Sequence, residues 1–542
     1  MMRRSLHPLL LLLFLIAPAL LIGAVLGYAG DVSDGVRLGY LSLLGCVTFY
    51  FAVKRQSKIL YTATVLWWLI FWMDALLRTL SWLMFDSDPT AYFIVQAIAN
   101  TSLEESLEFL QIHTITAISS SLALFGISLI YFYILFKYFH LQKFSAIWHA
   151  HFSRYLLIFL CVGMVVCYAI RPARALFPAI YWTNYYHQIQ KFQDSIQQHQ
   201  QLHTAWQHKA STQLALAPDF QAQQTHVLIL SESITSLNLG VCGYPRNTTP
   251  ELAKHLNELQ VFCQAYSPYS STINSLKANL TDSSILHPNE EPHESLLSYA
   301  KAAGFRIYWL SNQDDSYISS LFGSLADHTI YHNKRSGRSS SALDEELLPY
   351  YLKALNDSYP KKLIILHFIG AHPNYANRYP EQFEQFKEGN GDAVEHDLEQ
   401  RNIGLWVQLK RNEYDNAILY QDALITQFLT ALKQHVATGQ RSFTYISDHG
   451  NEVGHEIDYA GHSPNTKAGY QVPVILWSND GKPRQMGVNS SKILDTADLD
   501  TNLMHLMRIR DKTDTPHAFW LDKDYQFQPN AAFPYWKKKK SP

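Results

Sequence analysis

The sequence predicts a two-part chain, an α-helical transmembrane domain of five spans followed by an α/β domain with a mostly parallel central sheet. Three observations carry that prediction. The first about 170 of the 542 residues are strongly apolar, while the remainder has the mixed composition of a soluble domain. After Pro218, short β-rich runs alternate with helical patterns. Three of those runs end on carboxylates or imidazoles.

The run 9–28 is nearly free of charge and matches the roughly 20 residues that a bilayer requires. Met1-Met2-Arg3-Arg4 would also suit the basic start of a cleaved signal peptide, but the apolar run is long for that and more follow, at 38–53, 60–83, 115–136 and 155–170. Basic residues fall in alternate loops: Arg3 and Arg4, then Lys54, Arg55 and Lys58, then Lys137, Lys143 and Arg154. The positive-inside rule then predicts a cytoplasmic N-terminus and places everything after residue 170 on the outer side, with Arg171 and Arg174 as a local exception. Asp74 and Arg78 lie inside the third span at i, i+4 spacing and read as a mutual pair. Segment 86–113 reads as short surface helices or a simple connecting loop; in the helical reading Thr101 and Glu105 stand one turn apart.

The stretch 184–213 is rich in Gln and His and reads as a polar bridging helix. Its histidines (His187, His199, His203, His208) lack metal-ligand spacing and suit a solvated face. Beyond it, strands are predicted at 226–230, 306–310, 363–368, 443–446 and 472–477, and helices at 250–257, 273–280, 293–303, 345–356 and 412–436. Thr249-Pro250-Glu251 is a good helix start: a hydroxyl cap, Pro at the first position, then an acid.

Bulk properties exclude some functions. A net charge of −2 argues against a nucleic-acid partner, and the one dense basic run, 537–540, suits a solvated tail. Five cysteines without a CxxC spacing exclude a disulfide scaffold and a zinc knot. Cys242 and Cys263 lie in the polar half, where an oxidising compartment would allow them to bridge.

The chemistry concentrates at strand ends, where open α/β sheets collect ligands. The run ending at Ser231 leads into Glu232. The run 363–368 leads into Gly370-Ala371-His372. Phe443-Thr444-Tyr445-Ile446 leads into Ser447-Asp448-His449-Gly450, with His455 and His462 soon after. Carboxylate plus imidazole suits zinc or a similar metal, although an Asp-His pair at a strand end often only caps the next helix. Hydroxyl candidates for a nucleophile, Ser270, Ser271 and Thr272, precede the predicted helix 273–280; positive potential at a helix start favours an oxyanion there. An ordinary N-cap is the competing reading.

Taken in order, Leu230-Ser231-Glu232-Ser233, Gly243-Tyr244-Pro245-Arg246-Asn247-Thr248-Thr249-Pro250, Ser271-Thr272, Tyr414-Asp415-Asn416-Ala417-Ile418 and Ser447-Asp448-His449-Gly450 resemble the bacterial phosphoethanolamine transferases of the alkaline phosphatase/sulfatase superfamily. The resemblance extends over essentially the whole chain. It implies a transmembrane domain at 1–170, a bridge at 171–224, a periplasmic sulfatase-like catalytic domain at 225–528 and a basic tail at 529–542. It also implies an inner-membrane, monomeric, zinc-dependent enzyme that moves phosphoethanolamine from phosphatidylethanolamine to an envelope glycolipid, lipid A or lipopolysaccharide core. By family position Glu232, Thr272, Asp448 and His449 would hold the zinc, with Thr272 as nucleophile and carrier of a phospho-threonine ester. His372 and His462 would contact the phosphoryl group, and Asn312, Thr101 and Glu105 the donor head group.

The chain also departs from the family pattern. Ala97 stands where well-studied members have Asn, four residues before Thr101, and only Cys242 and Cys263 are available for the several disulfides of lipid A-modifying members. The stretch Gly461-His462-Ser463-Pro464-Asn465-Thr466 also differs from the lipid A type, and together these departures tilt the acceptor toward core sugar or another envelope acceptor. A sulfatase would need Cys/Ser-x-Pro-x-Arg around the nucleophile, which Thr272 lacks. A glycerol-phosphate transferase of the lipoteichoic type shares the spans, metal and Thr nucleophile; the Gly-Tyr-Pro-Arg-Asn-Thr-Thr-Pro and Tyr-Asp-Asn-Ala runs favour the ethanolamine branch. A non-enzymatic envelope protein would have no reason to keep Glu232, Thr272, Asp448, His449, His372 and His462 together.

Overall fold

The structure is a computed structural model and describes residues 13–28, 32–85, 89, 114–139, 154–287, 290–313, 316–332, 342–480, 485–513, 519–522 and 524–527. Ala97, Thr101, Glu105 and the tail 529–542 lie outside the described residues. The chain divides into two compact units, Met1–Ala99 with Phe109–Phe192, and Asn100–Glu108 with Gln193–Pro542.

The first unit holds helices α1 (Ala17–Tyr28), α2 (Val32–Arg55), α3 (Lys58–Phe85), α4 (Thr114–Phe139) and α5 (Arg154–Ala169), and the start of α6 (Pro178–Gln213). Helices therefore stand at all five predicted positions. Among the described residues two stretches, Ser33–Arg55 and Lys58–Leu83, have the length and apolarity to cross a bilayer; Ala17–Leu26, Phe125–Lys137 and Ile158–Ala169 are shorter apolar stretches. The predicted pair inside α3 forms: Arg78 Nε donates to Asp74 Oδ1 at 3.0 Å, and both residues are buried. Trp182 Nε1 donates to the same oxygen at 2.9 Å, and the Arg78 guanidinium lies 3.6 Å from the Tyr181 ring centroid. A charge this deep in apolar surroundings is tolerated because its partners are close and oriented.

The strands of the second unit are β1 (Leu214–Leu216), β2 (Gln224–Ser231), β3 (Gln260–Tyr266), β4 (Arg306–Ser311), β5 (His328–Tyr331) and β6 (Lys361–His367). They continue with β7 (Gln440–Ser447), β8 (Glu452–Val453), β9 (Ala460–Gly461), β10 (Gln471–Ser478), β11 (Gly487–Asp495) and β12 (Ile509–Asp511). Between them run α7 (Pro250–Lys254), α8 (Thr272–Leu280), α9 (Leu296–Ala302), α10 (Ser316–Leu321), α11 (Leu348–Leu355), α12 (Ala393–Gln400), α13 (Leu405–His435) and α14 (Leu499–Leu506). Eight strands form the central sheet in the order β11-β3-β10-β7-β2-β6-β4-β5. Pairing is parallel except around β10, which runs against both β3 and β7. The mostly parallel sheet is therefore as predicted, with one reversed strand.

Every residue of β2 is buried, as expected of a central strand covered on both faces. Of the strands in the central sheet the sequence reading lacks β3, β5 and β11, and outside it the short β1, β8, β9 and β12. Strand β5 is half exposed and β11 mostly half-buried and polar, which leaves no apolar run to recognise, and polar Gln260 and Gln264 interrupt β3. A disulfide joins Cys242 to Cys263 on β3, the pairing that an oxidising compartment permits.

Candidate metal centre and active site

Register brings the site together. Ser231 at the end of β2 faces Ser447 at the end of β7, while Leu230 faces His367 of β6, which in turn faces Ser311 of β4. The carboxyl tips of four neighbouring strands are thus level, and the residues just beyond them share one crevice, as in other open parallel sheets. The backbone continues the ladder past the strand ends: Asp448 N donates to Ser231 O at 3.0 Å, and Ala371 N donates to Glu232 O at 2.9 Å.

In that crevice Glu232, Thr272, Asp448, His449 and His462 converge. The Thr272 hydroxyl donates to both Glu232 oxygens, at 3.2 and 3.0 Å. His449 Nε2 lies 3.2 Å from Glu232 Oε1 and 3.5 Å from Asp448 Oδ2. One potential ligand atom from each of Glu232, His449 and His462 falls within 4.8 Å of the others. The His462 ring stands 4.5 Å from that of His449 and 5.8 Å from that of His372. His462, expected from sequence to contact a phosphoryl group, is therefore close enough to join the metal set.

The electrostatics favour a cation. Burial and the charge of Glu232 push the Asp448 carboxyl up to about 7, with His449 pulling the other way. Burial opposes charge on His449, but Asp448 and Glu232 carry its imidazole up to about 9. Two buried carboxylates thus compete for a proton in the space where a metal would sit. His449 Nδ1 is 2.7 Å from Gly450 O and so carries its proton there, which turns Nε2 toward the carboxylates as a lone-pair donor. Among the described residues neither His449 Nε2 nor Asp448 Oδ2 makes a well-formed hydrogen bond, although both are buried; what faces them is the ionic contact of His449 with Glu232 and Asp448. Buried atoms of this kind call for an ion, and carboxylate plus imidazole is a zinc-type donor set. The residues present fit the metal.

Among the hydroxyl candidates the structure distinguishes one. Ser271 is the N-cap of α8 but makes no capping bond with its side chain, and Thr272 is the first helical residue. Its hydroxyl is aimed at Glu232 rather than at the helix backbone, which is not the behaviour of a cap.

A model of the sulfatase family matches residues 224–509, the span that builds this crevice. The chain belongs to the sulfatase family. Phosphoethanolamine transferase EptC of Escherichia coli K12 is 32% identical over 271 residues, which take in 47% of this chain and 45% of that one. The chain thus matches about half the length of that curated relative. The crystal structure of the C-terminal periplasmic domain of EcEptC from Escherichia coli, in complex with Zn, superposes with a TM-score of 0.52 at 27% identity, covering 58% of this chain and 90% of that one. The integral membrane lipooligosaccharide phosphoethanolamine transferase A of Neisseria meningitidis shares the fold over 93% of this chain and 95% of its own, with a TM-score of 0.60 and 19% identity. The resemblance to phosphoethanolamine transferases read from the motifs agrees with these relatives, and the fold likeness extends into the membrane part.

Around the centre, this sulfatase-family chain also uses Ser233 and Asp415, to which the sequence reading assigned no chemical role. Ser233 adopts φ 61°, uncommon for a residue with a side chain, and is held from all sides. Its N–H donates to Asp448 Oδ1 at 3.1 Å, its hydroxyl donates to Glu232 Oε1 at 2.8 Å, and its carbonyl accepts from Tyr414 at 2.7 Å. His462 Nε2 lies 3.3 Å from the same hydroxyl. Asp415 accepts from Asn238 at 2.6 Å, Tyr244 at 2.6 Å and Arg246 at 2.7 Å, so the Gly-Tyr-Pro-Arg and Tyr-Asp-Asn-Ala motifs meet in one buried network. His455 Nε2 pairs with Asn238 Oδ1 at 2.6 Å and lies in that network, outside the metal group. Asn312 is fully buried and donates to Ala342 O at 3.1 Å and Asp344 at 3.0 Å, so its amide nitrogen is engaged inside the protein. Thr101 and Glu105 lie outside the described residues.

Proposed function

We propose that this chain is an inner-membrane phosphoethanolamine transferase of five spans, with a cytoplasmic N-terminus and its sulfatase-like domain in the periplasm. In this reading it moves phosphoethanolamine from phosphatidylethanolamine to an envelope glycolipid, lipopolysaccharide core or lipid A. The observation that carries the reading is the Thr272 hydroxyl, placed at a helix start and hydrogen-bonded to Glu232 inside the carboxylate–imidazole cluster. The EptC relative and the Zn complex of the EcEptC domain support it.

Glu232, Asp448, His449 and Thr272 would hold a zinc ion, with His462 within reach of the same position. Zinc bound there would lower the pKa of the coordinated hydroxyl and neutralise phosphoryl charge. Glu232 already receives the Thr272 hydrogen and lies where the proton departs as the oxygen attacks phosphorus. The first half-reaction forms the Thr272 Oγ1–P bond and breaks the bond from phosphorus to the diacylglycerol oxygen. His372 and His462, adjacent across the crevice, would bind the phosphoryl oxygens and supply the proton that diacylglycerol takes. In the second half-reaction an acceptor oxygen attacks the same phosphorus, and Thr272 leaves with its proton restored.

The test is mass spectrometry of the protein after incubation with phosphatidylethanolamine. Phosphoethanolamine is expected on the peptide containing Thr272, and the adduct should be absent from Thr272→Ala. An adduct on Ser271, or none in a zinc-loaded protein, would overturn the assignment. Envelope glycolipid mass spectrometry with and without the gene identifies the acceptor.

A further inference from the structure

We infer that Asp344, remote in sequence from every motif, is a positioning residue for the site: it sets the loop that seats Glu232 and carries His372. The inference rests on the transferase reading for its chemistry, and on geometry for its mechanism. Asp344 is 1% exposed and its two carboxylate oxygens receive four donors. Ile369 N and Gly370 N donate at 2.8 and 3.0 Å, Asn312 Nδ2 at 3.0 Å and Gln421 Nε2 at 2.8 Å. One buried carboxylate thereby joins the tip of β4, the loop after β6 and the long helix α13.

That loop is the one that touches the site. Gly370 has φ +56°, and a Cβ added to it would stand 2.5 Å from Glu232 O and 2.6 Å from Glu232 N. The loop backbone therefore packs directly on the main chain of a metal-ligand candidate, and Ala371 N fixes it there through Glu232 O at 2.9 Å. Two residues on, His372 N donates to Ile369 O at 3.1 Å, so the imidazole that faces His462 hangs from the same turn. The two N–H groups at Ile369 and Gly370 need an acceptor once buried, and Asp344 supplies one oxygen to each. A neutral amide in its place offers one oxygen and one nitrogen, so one of the two backbone donors must face another donor. The loop then loses its fixed position against Glu232.

The experiment compares Asp344→Asn with Gln421→Ala in the full-length protein. Gln421→Ala also removes a bond to Asp344 but leaves both loop N–H groups paired. Zinc affinity is measured by chelator competition, and kcat and KM with phosphatidylethanolamine in proteoliposomes. Asp344→Asn should weaken zinc binding by about 10-fold or more, on the scale of outer-shell substitutions, and lower kcat with little change in KM. Gln421→Ala should lower Tm while zinc affinity and kcat stay within about threefold of wild type, a margin small against that outer-shell effect. If Asp344→Asn lowers Tm but keeps wild-type zinc affinity and kcat, the residue is merely structural and the inference fails. A wild type that binds zinc but transfers nothing overturns the transferase reading and leaves the zinc comparison to decide Asp344. A wild type that takes up no zinc overturns both.

Discussion

At Asp448 and His449 proton and metal compete for the same atoms. The Asp448 carboxyl is pushed up to about 7 and the His449 imidazole up to about 9, so without metal His449 holds a proton at neutral pH and Asp448 gains one as the pH falls through 7. Zinc binds only the deprotonated forms and must displace those protons. The sign follows: affinity rises with pH, by about tenfold per unit for each proton released. The slope should steepen toward acid, because both groups are raised and hold their protons more firmly there. Zinc titration in buffers of differing ionisation enthalpy measures the protons released; a pH-independent affinity from 6 to 9 would exclude this centre as the zinc site.

The packing of elements around the centre explains motifs that bear no chemistry. Helix α13 presents Tyr414 and Asp415 on successive positions; Tyr414 holds the carbonyl of Ser233, and Asp415 anchors Arg246 from the loop before α7. Arg246 is further held by Asp392 at 2.7 Å, the residue that caps α12. Replacing Asp415 by Ala leaves a buried guanidinium and two buried donors without their acceptor. The expected cost is about 3 kcal/mol, the low end for breaking a buried pair because Asp392 remains. Denaturant unfolding followed by tryptophan fluorescence should read that loss, and a change under about 1 kcal/mol, the scale of an exposed pair, would show that the network is not a stabilising anchor.

The same scale shows what was legible in the sequence. Strands β2, β6 and β7 are continuous buried apolar runs, so a polar residue at their tips stands out, and Glu232, Asp448 and His449 could be read before any fold was known. Strands β5 and β11 lie at the sheet edges, only partly buried and rich in polar residues, and carry no such contrast. Residue chemistry left Ser270, Ser271 and Thr272 open and only the family resemblance singled out Thr272, because the choice depends on which hydroxyl points across 40 residues of chain to Glu232. Asp344 was illegible for a different reason: its significance arises only where β4, the loop after β6 and α13 meet. The family resemblance alone implies a head-group role for Asn312; in the structure its amide nitrogen is bonded to Asp344.

For the whole molecule, the covalent structure bears on the proposed compartment. The Cys242–Cys263 bridge closes a loop with a sequence separation of 21, carrying the Gly-Tyr-Pro-Arg motif and α7. A loop of that size predicts roughly 3 kcal/mol of stabilisation, so the Cys242→Ser/Cys263→Ser variant should unfold at markedly lower denaturant. Thiol counting in denatured, unreduced protein should find these two cysteines oxidised. Finding them free would remove the support that this bridge gives to a periplasmic location.

The bond from Trp182 to Asp74 bears on how the molecule can be taken apart. The change in composition near residue 170 marks a natural place to sever a soluble fragment, yet the first turns of α6 belong with α3, and the first compact unit runs through Phe192. Cutting at 171 would strip a buried carboxylate of one of its donors and expose the face of α6 that carries Tyr181 and Tyr185, both buried in the intact chain. Anyone preparing the soluble portion, or grafting it onto another anchor, should therefore place the junction after residue 192. The boundary between the two compact units thus falls inside α6, beyond the point where the composition changes.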